Sequence, residues 1–512
     1  MTKAANKDRF GRNGYPCVRT HSLSMAVRGS VLASLFVGGL ATLLPMQSQA
    51  RWDIVTTVAT EETFTDNANS STTNRATDFI NTTDAGISLQ GEGGRSSANF
   101  SYSLSRDTYL RNKELNGFRH ELLGLGEVDI IPDYVSVDGR ASVSEQFVSQ
   151  TGTTTATDRT TSTNRTRILN YSIAPTFKHG NDGWADSVMT YRLNGNRFMA
   201  TGTDTGTGDG GLNNTITHEI ISGLESGRRF SVLTWSGEAR TEVSMKQGQF
   251  DYRRDVTEGE AAYVVMPQLT LLASAGYEKF KDKNSADQSA NNGLFWNGGM
   301  QIAPGPKTNV TIQYGKRFTT TQFSGDLTYR FSPRTTLQGS YSTDFSTQQT
   351  ALSSSLNNLT TNDDGDIIDA TTGLVVDPND LQTDLVESSF KSQTLSLGLT
   401  GTRGRNRFNA GVNLTKRTFS GTNAGSDSSL SLNGSWNREL SRQTTLNVNA
   451  NFSRSSSSSS GTTKSMNGTA QLSYALNDTL DASAQVSRLY QNTTGTPALK
   501  ENTVSVSLRK EF

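Results

Sequence analysis

Apolar and polar residues alternate along much of the chain. In the stretch TTLNVNANFSRS (444–455), Leu446, Val448, Ala450 and Phe452 take every second position, and amides or hydroxyls follow each of them. Successive side chains on a strand point to opposite faces, so this pattern predicts a β-strand with one apolar and one polar face. The apolar face would meet a core in a soluble protein and lipid in a membrane barrel.

Turn signals decide between these two surroundings. Short segments rich in Gly, Pro, Asn and Asp, the residues of tight reversals, recur between alternating runs. They are GEGGR (91–95), IIPDY (130–134), KHGNDG (178–183), ESGRR (225–229), MPQ (266–268), APGPK (303–307), SPR (332–334), GRNR (404–407), ELSRQ (439–443) and LNDT (476–479). Between these hairpins lie longer polar connections, the largest at roughly 347–389. Short turns at one end and long loops at the other are typical of outer-membrane barrels.

The fold class predicted from this pattern is all-β, a transmembrane antiparallel up-and-down β-barrel. The hairpins, a first strand from Trp52 and a last strand ending at Phe512 give about 22 strands, within a range of 16–22. The short turns would face the periplasm and the long loops the exterior. The predicted location is the bacterial outer membrane, with outer-membrane lipid around the barrel. An exported soluble β-sandwich is the alternative.

Aromatic residues fall near the predicted strand ends, as expected for interfacial girdles. One set lies just before short turns: Phe177, Tyr329, Phe331, Trp436 and Tyr474. A second set lies near long loops: Tyr102, Tyr277, Phe318, Phe345 and Phe452.

The chain ends in TVSVSLRKEF, which places Val504, Val506, Leu508 and Phe512 on one face of a strand. This ending resembles the terminal-strand signature of bacterial outer-membrane proteins. The resemblance implies that the barrel-assembly machinery reads these four residues as an assembly signal.

The first 50 residues differ from the rest. Basic residues precede the apolar run GSVLASLFVGGLATLLP, and Ser48-Gln49-Ala50 forms a small-x-small cleavage pattern. We expect residues 1–50 to be a secretory signal peptide, with Met25 as a possible true start, and residues 51–512 to be the barrel. The chain without them has 42 basic and 47 acidic residues, a balance of −5, which argues against nucleic-acid binding.

Composition and the scarcity of reactive side chains argue against an enzyme. The only cysteine, Cys17, lies in the predicted leader, and the rest of the chain has only His120, His179 and His218, without the spacing of a catalytic group or a metal site. The loop TNDDGDIID (361–369) could hold calcium, but an ordinary Asp/Gly turn at an external loop tip fits better because the terminal Glu is missing. We therefore predict no catalytic residue, cofactor or metal.

Two early segments and one later segment resemble a known family. The first segment is RWDIVTTVATEETFTDNANSS, which contains Thr65-Asp66-Asn67. The second is ATDFINTTDAGISLQGEGGR, which contains Asp78-Phe79 and Gly86-Ile87-Ser88-Leu89 and has Ala85 where the family often has Pro. The third is LTYRFSPRTTLQGSYSTDFS. These resemble the β-barrel porin family of outer-membrane proteins associated with exopolysaccharide and PEP-CTERM sorting loci. The resemblance implies an outer-membrane barrel in surface-polysaccharide export, with no agreed catalytic residues.

Charged residues in the polar phase are candidates for lining the lumen, because a charge on the lipid face costs about 2–4 kcal/mol at mid-depth. Their mixed signs predict cross-strand pairs rather than an ion filter. They are Asp138, Arg140, Arg192, Glu238, Arg240, Glu242, Glu258, Glu260, Asp326, Arg330 and Asp344.

The pore would be wide at this strand number and would need a constriction. The loop at 347–389 is the only segment that we expect to be long enough to fold inward. No plug domain, periplasmic repeat array or passenger precedes Trp52, which argues against a TonB-dependent transporter, an assembly factor and an autotransporter.

The function predicted is a channel for export of a surface polysaccharide or exopolysaccharide, with periplasmic polysaccharide-export proteins as partners. A general diffusion porin and a structural barrel with a closed lumen are the alternatives. A polar lumen would favour either pore, and an inward loop packed by apolar residues would favour the structural barrel.

Overall fold

The computed structural model describes residues 51–149, 151–160, 162, 164–181, 183–199, 214–246, 249–283, 292–317, 320–361, 367–376, 389–419, 425–458 and 461–512. The predicted signal peptide and Met25 lie outside the described residues.

The strands of the first half are β1 (Arg51–Thr65), β2 (Asp78–Gly93), β3 (Ser96–Tyr109), β4 (Gly117–Ile131), β5 (Val135–Phe147), β6 (Arg165–Asn181), β7 (Ala185–Met199), β8 (Thr215–Ser226), β9 (Leu233–Lys246), β10 (Gln249–Met266), β11 (Leu269–Asp282) and β12 (Gly293–Gly305). Those of the second half are β13 (Thr308–Arg317), β14 (Thr320–Ser332), β15 (Thr335–Thr347), β16 (Leu359–Thr361), β17 (Ile367–Asp369), β18 (Ser389–Arg403), β19 (Asn406–Phe419), β20 (Gly425–Glu439), β21 (Thr444–Ser457), β22 (Gly461–Asn477), β23 (Leu480–Thr493) and β24 (Leu499–Glu511).

Within the described residues, 22 strands form one closed antiparallel sheet in which each strand pairs with its neighbours in chain order. The barrel closes between β1 and β24, in a register that runs from Thr57↔Glu511 to Thr65↔Thr503. The predicted up-and-down barrel of about 22 strands is confirmed.

All ten predicted short turns join consecutive barrel strands. They lie at the end of the barrel where β1 begins and β24 ends, and the longer connections lie at the other end. The turn prediction succeeded because the signal is local: nine of the ten reversals carry their own Gly, Pro, Asn or Asp, and ELSRQ carries Ser.

The remaining elements lie in two of the long connections. A 3-10 helix at Lys113–Leu115 follows β3. A helix, α1 (Gln348–Asn357), follows β15 and leads into the small antiparallel hairpin of β16 and β17. None of the helices in the described ranges is both long and apolar enough to cross a membrane.

Apolar side chains face outward over most of the barrel surface. Ile54 is 61% exposed, and most of the other barrel strands also carry large apolar residues that are exposed. The aromatic set near the short turns is exposed, as Phe331 and Trp436 show. The set near the long loops is wrong in part, because Phe345 is buried against Tyr252 and Phe280. β15 pairs with β14 only as far as Tyr341, and beyond it only the pairing with β18 continues. Phe318 lies outside the described residues.

Candidate functional site in the barrel lumen

The last strand defines the two faces of the wall. Val504, Val506 and Leu508 are exposed on its outer face, whereas Glu501 and Thr503 on the other face are buried. Phe512, just past the strand end, is 72% exposed. The residues predicted to form the assembly signal therefore face the lipid side.

The same alternation places all eleven candidate lumen residues on the inner face of their strands. In β10 and β14, for example, they alternate with the exposed outward residues Tyr263, Phe323 and Tyr329. Most of them do not stand alone: the structure joins them into ion-pair groups with partners that the sequence reasoning missed.

The first group crosses three neighbouring strands. Glu219 of β8 is 2% exposed, accepts a hydrogen bond from Arg192 Nη1 of β7 at 3.0 Å and lies 2.5 Å from Arg240 Nε of β9. Glu242 continues the group and accepts hydrogen bonds from Tyr252 and from Thr350 of α1. Because the carboxylates are buried among guanidinium groups, the group rigidifies the wall and attaches α1 to it.

The second group is centred on Glu278 of β11, which is fully buried. Its carboxylate accepts hydrogen bonds from Arg254 Nε and Arg317 Nε, both at 2.7 Å. Arg254 also contacts Asp344 at 3.3 Å. A buried carboxylate between two arginines is stable only while both cations remain, so this part of the wall is rigid.

Five candidates form no comparable buried pair between strands. Glu238 and Glu258 are directly opposite each other, and Glu260 is one position further along that face. Asp326 is exposed to the lumen, as is Arg330. Glu238, Glu258 and Glu260 give the β9–β10 wall an acidic area nearer the short turns.

A first inward segment, which consists of residues 348–361 and 367–376, begins with α1. Thr347 caps the helix, and Arg140 of β5 binds its C-terminal end: Nη1 donates to the carbonyls of Leu356 (3.3 Å), Asn357 (2.7 Å) and Leu359 (2.6 Å). Asp138 holds Arg140 Nε at 2.8 Å. A cation at the carbonyl end of a helix is favourable, so the pair of candidates Asp138 and Arg140 fixes α1 against the wall.

Apolar contacts also hold this segment. Leu356, Leu359 and Ile367 pack against Leu123 of β4, and Leu352 packs against Ile168 of β6, which is fully buried. The prediction that this loop folds inward is correct for the residues described. Its apolar packing is the feature that favours a closed lumen.

The far side of the first segment approaches β18 and β19. The carbonyl of Thr372 lies so close to Gly398 that a Cβ at that position would collide with it, and the side chain of Leu374 is close to Gly411 in the same way. Glycine at these two wall positions therefore permits the contact. Asp369 accepts hydrogen bonds from the backbone of Thr371 and Thr372, so it caps a turn inside the lumen and not at an external loop tip. The other aspartates of that motif, Asp363, Asp364 and Asp366, lie outside the described residues.

A second inward segment, 148–164, connects β5 to β6 but crosses to the seam of the barrel. Arg159 donates to Glu61 of β1 at 2.8 Å, and the Ala156 backbone nitrogen donates to Glu501 of β24 at 2.8 Å. Gln491 of β23 donates to the Gly152 carbonyl at 2.6 Å. The prediction that 347–389 is the only segment able to fold inward is therefore wrong.

Ionic contacts set the charge of the second segment. Burial raises the pKa of Asp158, but the guanidinium groups of Arg165, Arg119 and Arg159 outweigh it and hold that pKa below its usual value. Arg165 contacts Asp158 at 3.3 Å. Asp158 therefore holds the second segment in place as a charged carboxylate.

The inner wall of β15 and β18–β21 has a different chemistry. It lines, together with the first segment, a cavity of about 650 Å³. Apart from Leu397, Gly411 and Val412, its wall residues are hydroxyls and amides at successive registers: Ser340, Ser342, Thr394, Ser396, Asn413, Thr415, Ser429, Ser431, Asn433 and Asn451. The ion pair of Arg417 and Asp427 lies on β19 and β20, nearer the long loops. Across the cavity, Asn170 is 1% exposed and its Oδ1 has no hydrogen-bond partner among the described residues. We call this wall the neutral track.

The three histidines lie away from these groups. His120 and His218 face outward and bind the hydroxyls of Tyr102 and Tyr191 through Nδ1, at 2.9 and 2.7 Å. Among the described residues no group of three or more His, Cys, Asp or Glu is placed to hold a metal.

The motif residues that carried the family resemblance are structural. Asp66 accepts from the Asn502 backbone at 2.9 Å, and Asn67 donates to the Lys500 carbonyl at 3.0 Å, so both tie the first long loop to β24. Asp78 accepts from the Asn112 backbone at 2.8 Å.

A closed antiparallel barrel with an apolar exterior and a polar, charged interior defines an outer-membrane β-barrel protein. The sequence matches no protein-family model and no curated protein. Among solved structures it is similar to the FrpB iron transporter from Neisseria meningitidis (F5-1 variant), with 13% identity, 90% of this chain and 83% of that chain covered, and a TM-score of 0.48. It is also similar to the siderophore receptor PirA from Acinetobacter baumannii, with 9% identity, 91% and 81% covered, and a TM-score of 0.47. Likeness at this level carries no conclusion about what the present barrel transports.

Proposed function

We propose that this outer-membrane barrel is a channel for export of a neutral or weakly charged surface polysaccharide. The observation that carries the proposal is the neutral track. Hydroxyl and amide side chains repeat across β15 and β18–β21, and sugars offer hydroxyls in a similarly regular array. A polymer sliding along such a wall exchanges one hydrogen bond for another without leaving a buried charge unpaired.

The charged half of the lumen complements this track. Glu242 of the first ion-pair group holds α1 through Thr350, and α1 with its following turn covers the track from the opposite side. In the exporting state, this arrangement would leave a narrow passage instead of the wide opening of an unobstructed barrel. A narrow passage suits a single extended chain.

A structural barrel with a closed lumen is the second candidate. The apolar contacts of Leu352, Leu356 and Leu359 favour it, since they stabilise the inward position of the first segment. The two candidates differ in whether the segment moves aside or leaves a passage when a polymer arrives.

The partners follow from the proposal. An exporter would receive its polymer from periplasmic polysaccharide-export proteins at the short-turn end, and the barrel-assembly machinery would insert it with Phe512 as part of the signal. Nucleic acid has no role in this scheme.

Single-channel conductance in planar bilayers, with and without a neutral polysaccharide, tests the proposal. We expect conductance steps that the polymer blocks, and a weaker block in the variant Asn433→Asp/Asn451→Asp, which places charge on two opposed track residues. Glu238→Gln, on the other wall, is the matched control and should leave the block unchanged. Large steps indifferent to polymer would indicate a general diffusion porin. An absence of steps from a heat-modifiable barrel would favour the structural role or gating by a partner.

A further inference from the structure

Basic side chains collect on the outer face of the barrel between β19 and β24. They lie near the long-loop ends of these strands and share the face with exposed apolar residues such as Met466, Val486 and Val504. In the described residues, the outer faces of these six strands carry no Asp or Glu. The basic residues, all exposed, are Lys416, Arg454, Lys464, Arg488 and Lys500, and we call them the outer basic patch.

Two members of the patch oppose each other directly. Arg454 of β21 is in register with Lys464 of β22, and residues so placed have Cβ atoms about 4.5–5.5 Å apart. Like charges in this position destabilise a sheet. Neither side chain forms an ion pair with another described residue. An anion from outside the chain that lies between them would relieve the repulsion.

An apolar and aromatic row lies directly below this pair. Phe452, Met466 and Tyr490 are in register across β21, β22 and β23, two residues further from the loops. Lys500 Nζ lies 5.9 Å from the centroid of the Tyr490 ring. Aromatic rings at a strand end occupy the level where acyl chains meet headgroups, so Arg454 and Lys464 lie at headgroup level. Lys500 is in register with Tyr490 of this row, and Arg488 lies two residues further from the loop than Tyr490.

On another part of the outer surface, a basic residue has an acidic partner within the chain. On β10, Arg253 contacts Asp255 at 2.9 Å on the same face. The outer basic patch differs because its charges have no such acidic partner on these six strands. Its counter-ion must therefore come from the surroundings at the exterior side of the membrane.

We propose that the outer basic patch binds phosphate-bearing lipid headgroups of the outer leaflet. Lys and Arg form charge-assisted hydrogen bonds with phosphate oxygens, and clusters of them near a membrane surface attract anionic lipid. The aromatic row below would contact the upper part of the acyl chains. The lipid thus becomes a specific ligand of one side of the barrel.

Retention of lipid by the full-length purified protein tests this inference. The protein is incubated in neutral detergent with lipid A carrying both phosphates or with phosphatase-treated lipid A, and the bound lipid is measured by native mass spectrometry. We expect Arg454→Gln/Lys464→Gln/Arg488→Gln/Lys500→Gln to retain about tenfold less phosphorylated lipid. Arg438→Gln/Lys510→Gln is the matched control: it removes two outward basic residues at the short-turn end and should retain lipid as the parent does.

The wild-type protein gives a second readout that needs no variant. It should retain phosphorylated lipid in preference to the phosphatase-treated form, and this preference should weaken with salt. Equal retention of the two lipids, or undiminished retention by a patch variant that still shows heat-modifiable migration, would overturn the inference. If the quadruple variant does not fold, Arg454→Gln/Lys464→Gln alone should still lower retention, because it removes the opposed pair.

Discussion

Arg140 is the residue whose replacement should release the first inward segment. Its Nη1 atom donates to three carbonyls at the end of α1, and the segment has no other cation at that end. The change Arg140→Gln keeps a polar side chain on the wall but removes the charge and shortens the reach. The barrel itself should remain folded, because β5 keeps its backbone pairing with β4 and β6.

The magnitude follows from the number of bonds lost. One nitrogen with two protons makes at most two good hydrogen bonds at a time, and a hydrogen bond to a charged group contributes about 1.5–3 kcal/mol. At the lower end of that range the loss is about 3 kcal/mol. Since each 1.4 kcal/mol is tenfold, the undocked population of the segment should rise by about two orders of magnitude.

Thiol labelling measures that population. Residues 51–512 contain no cysteine, and Ser353 on α1 is 5% exposed, so Ser353→Cys gives a single thiol that is protected while α1 is docked. We expect a membrane-impermeant maleimide to label this thiol about a hundredfold faster in the Arg140→Gln background. Single-channel conductance should rise in the same variant.

Arg330→Gln is the matched control, since Arg330 also faces the lumen but lies at the short-turn end, away from α1. Its labelling rate should equal that of the parent. If Arg140→Gln and Arg330→Gln label equally slowly, apolar packing alone holds the segment and the role given to Arg140 is refuted.

Three further changes test other parts of the structure. The pKa of Asp158 is held below its usual value. The stability that this carboxylate gives the second segment is therefore present above the unfolded pKa of about 3.9 and is lost as the pH falls through the folded pKa. Conductance should rise on acidification below about pH 4 and recover on neutralisation. Glu278→Gln would leave Arg254 and Arg317 without their shared carboxylate and should lower the free energy of unfolding by about 3–5 kcal/mol. The unfolding temperature in heat-modifiability gels should fall. An unchanged unfolding temperature would show that water replaces the carboxylate. Phe512→Ala removes a side chain that is 72% exposed but keeps the backbone hydrogen bonds between Phe512 and Thr56 at the seam; this change should slow membrane insertion in cells while leaving the melting temperature of the purified barrel unchanged.

The wall of the barrel was predictable because its signals are local. A period of two identifies each strand and its faces, and turn chemistry marks each reversal, so the strand number and all ten short turns followed from the chain alone. The residues Asp138 and Arg140 were found in this way as inward-facing candidates, and the structure shows that they form a pair.

The contents of the lumen were less predictable because they depend on distant contacts. Nothing in the local sequence of 148–164 distinguishes it from an external loop, since both are rich in Thr and Ser. Its anchors Glu61 and Glu501 are far away in the chain, and their role is visible only when the barrel closes. Glu219 and Glu278 were missed for a related reason: their neighbours across the sheet, and not their own strands, make them important.

The attachment of the second inward segment to the seam links the width of the passage to the order of folding. Thr154 meets Gln491 across 337 residues of chain, and Ala156 meets Glu501 across 345. Contacts of such separation form late, because the intervening chain must first be ordered. The segment can therefore cross the lumen only after the final hairpin has joined β1. A barrel arrested before that step would be a wide pore without a constriction. In the complete barrel, closure of the wall and narrowing of the passage occur together.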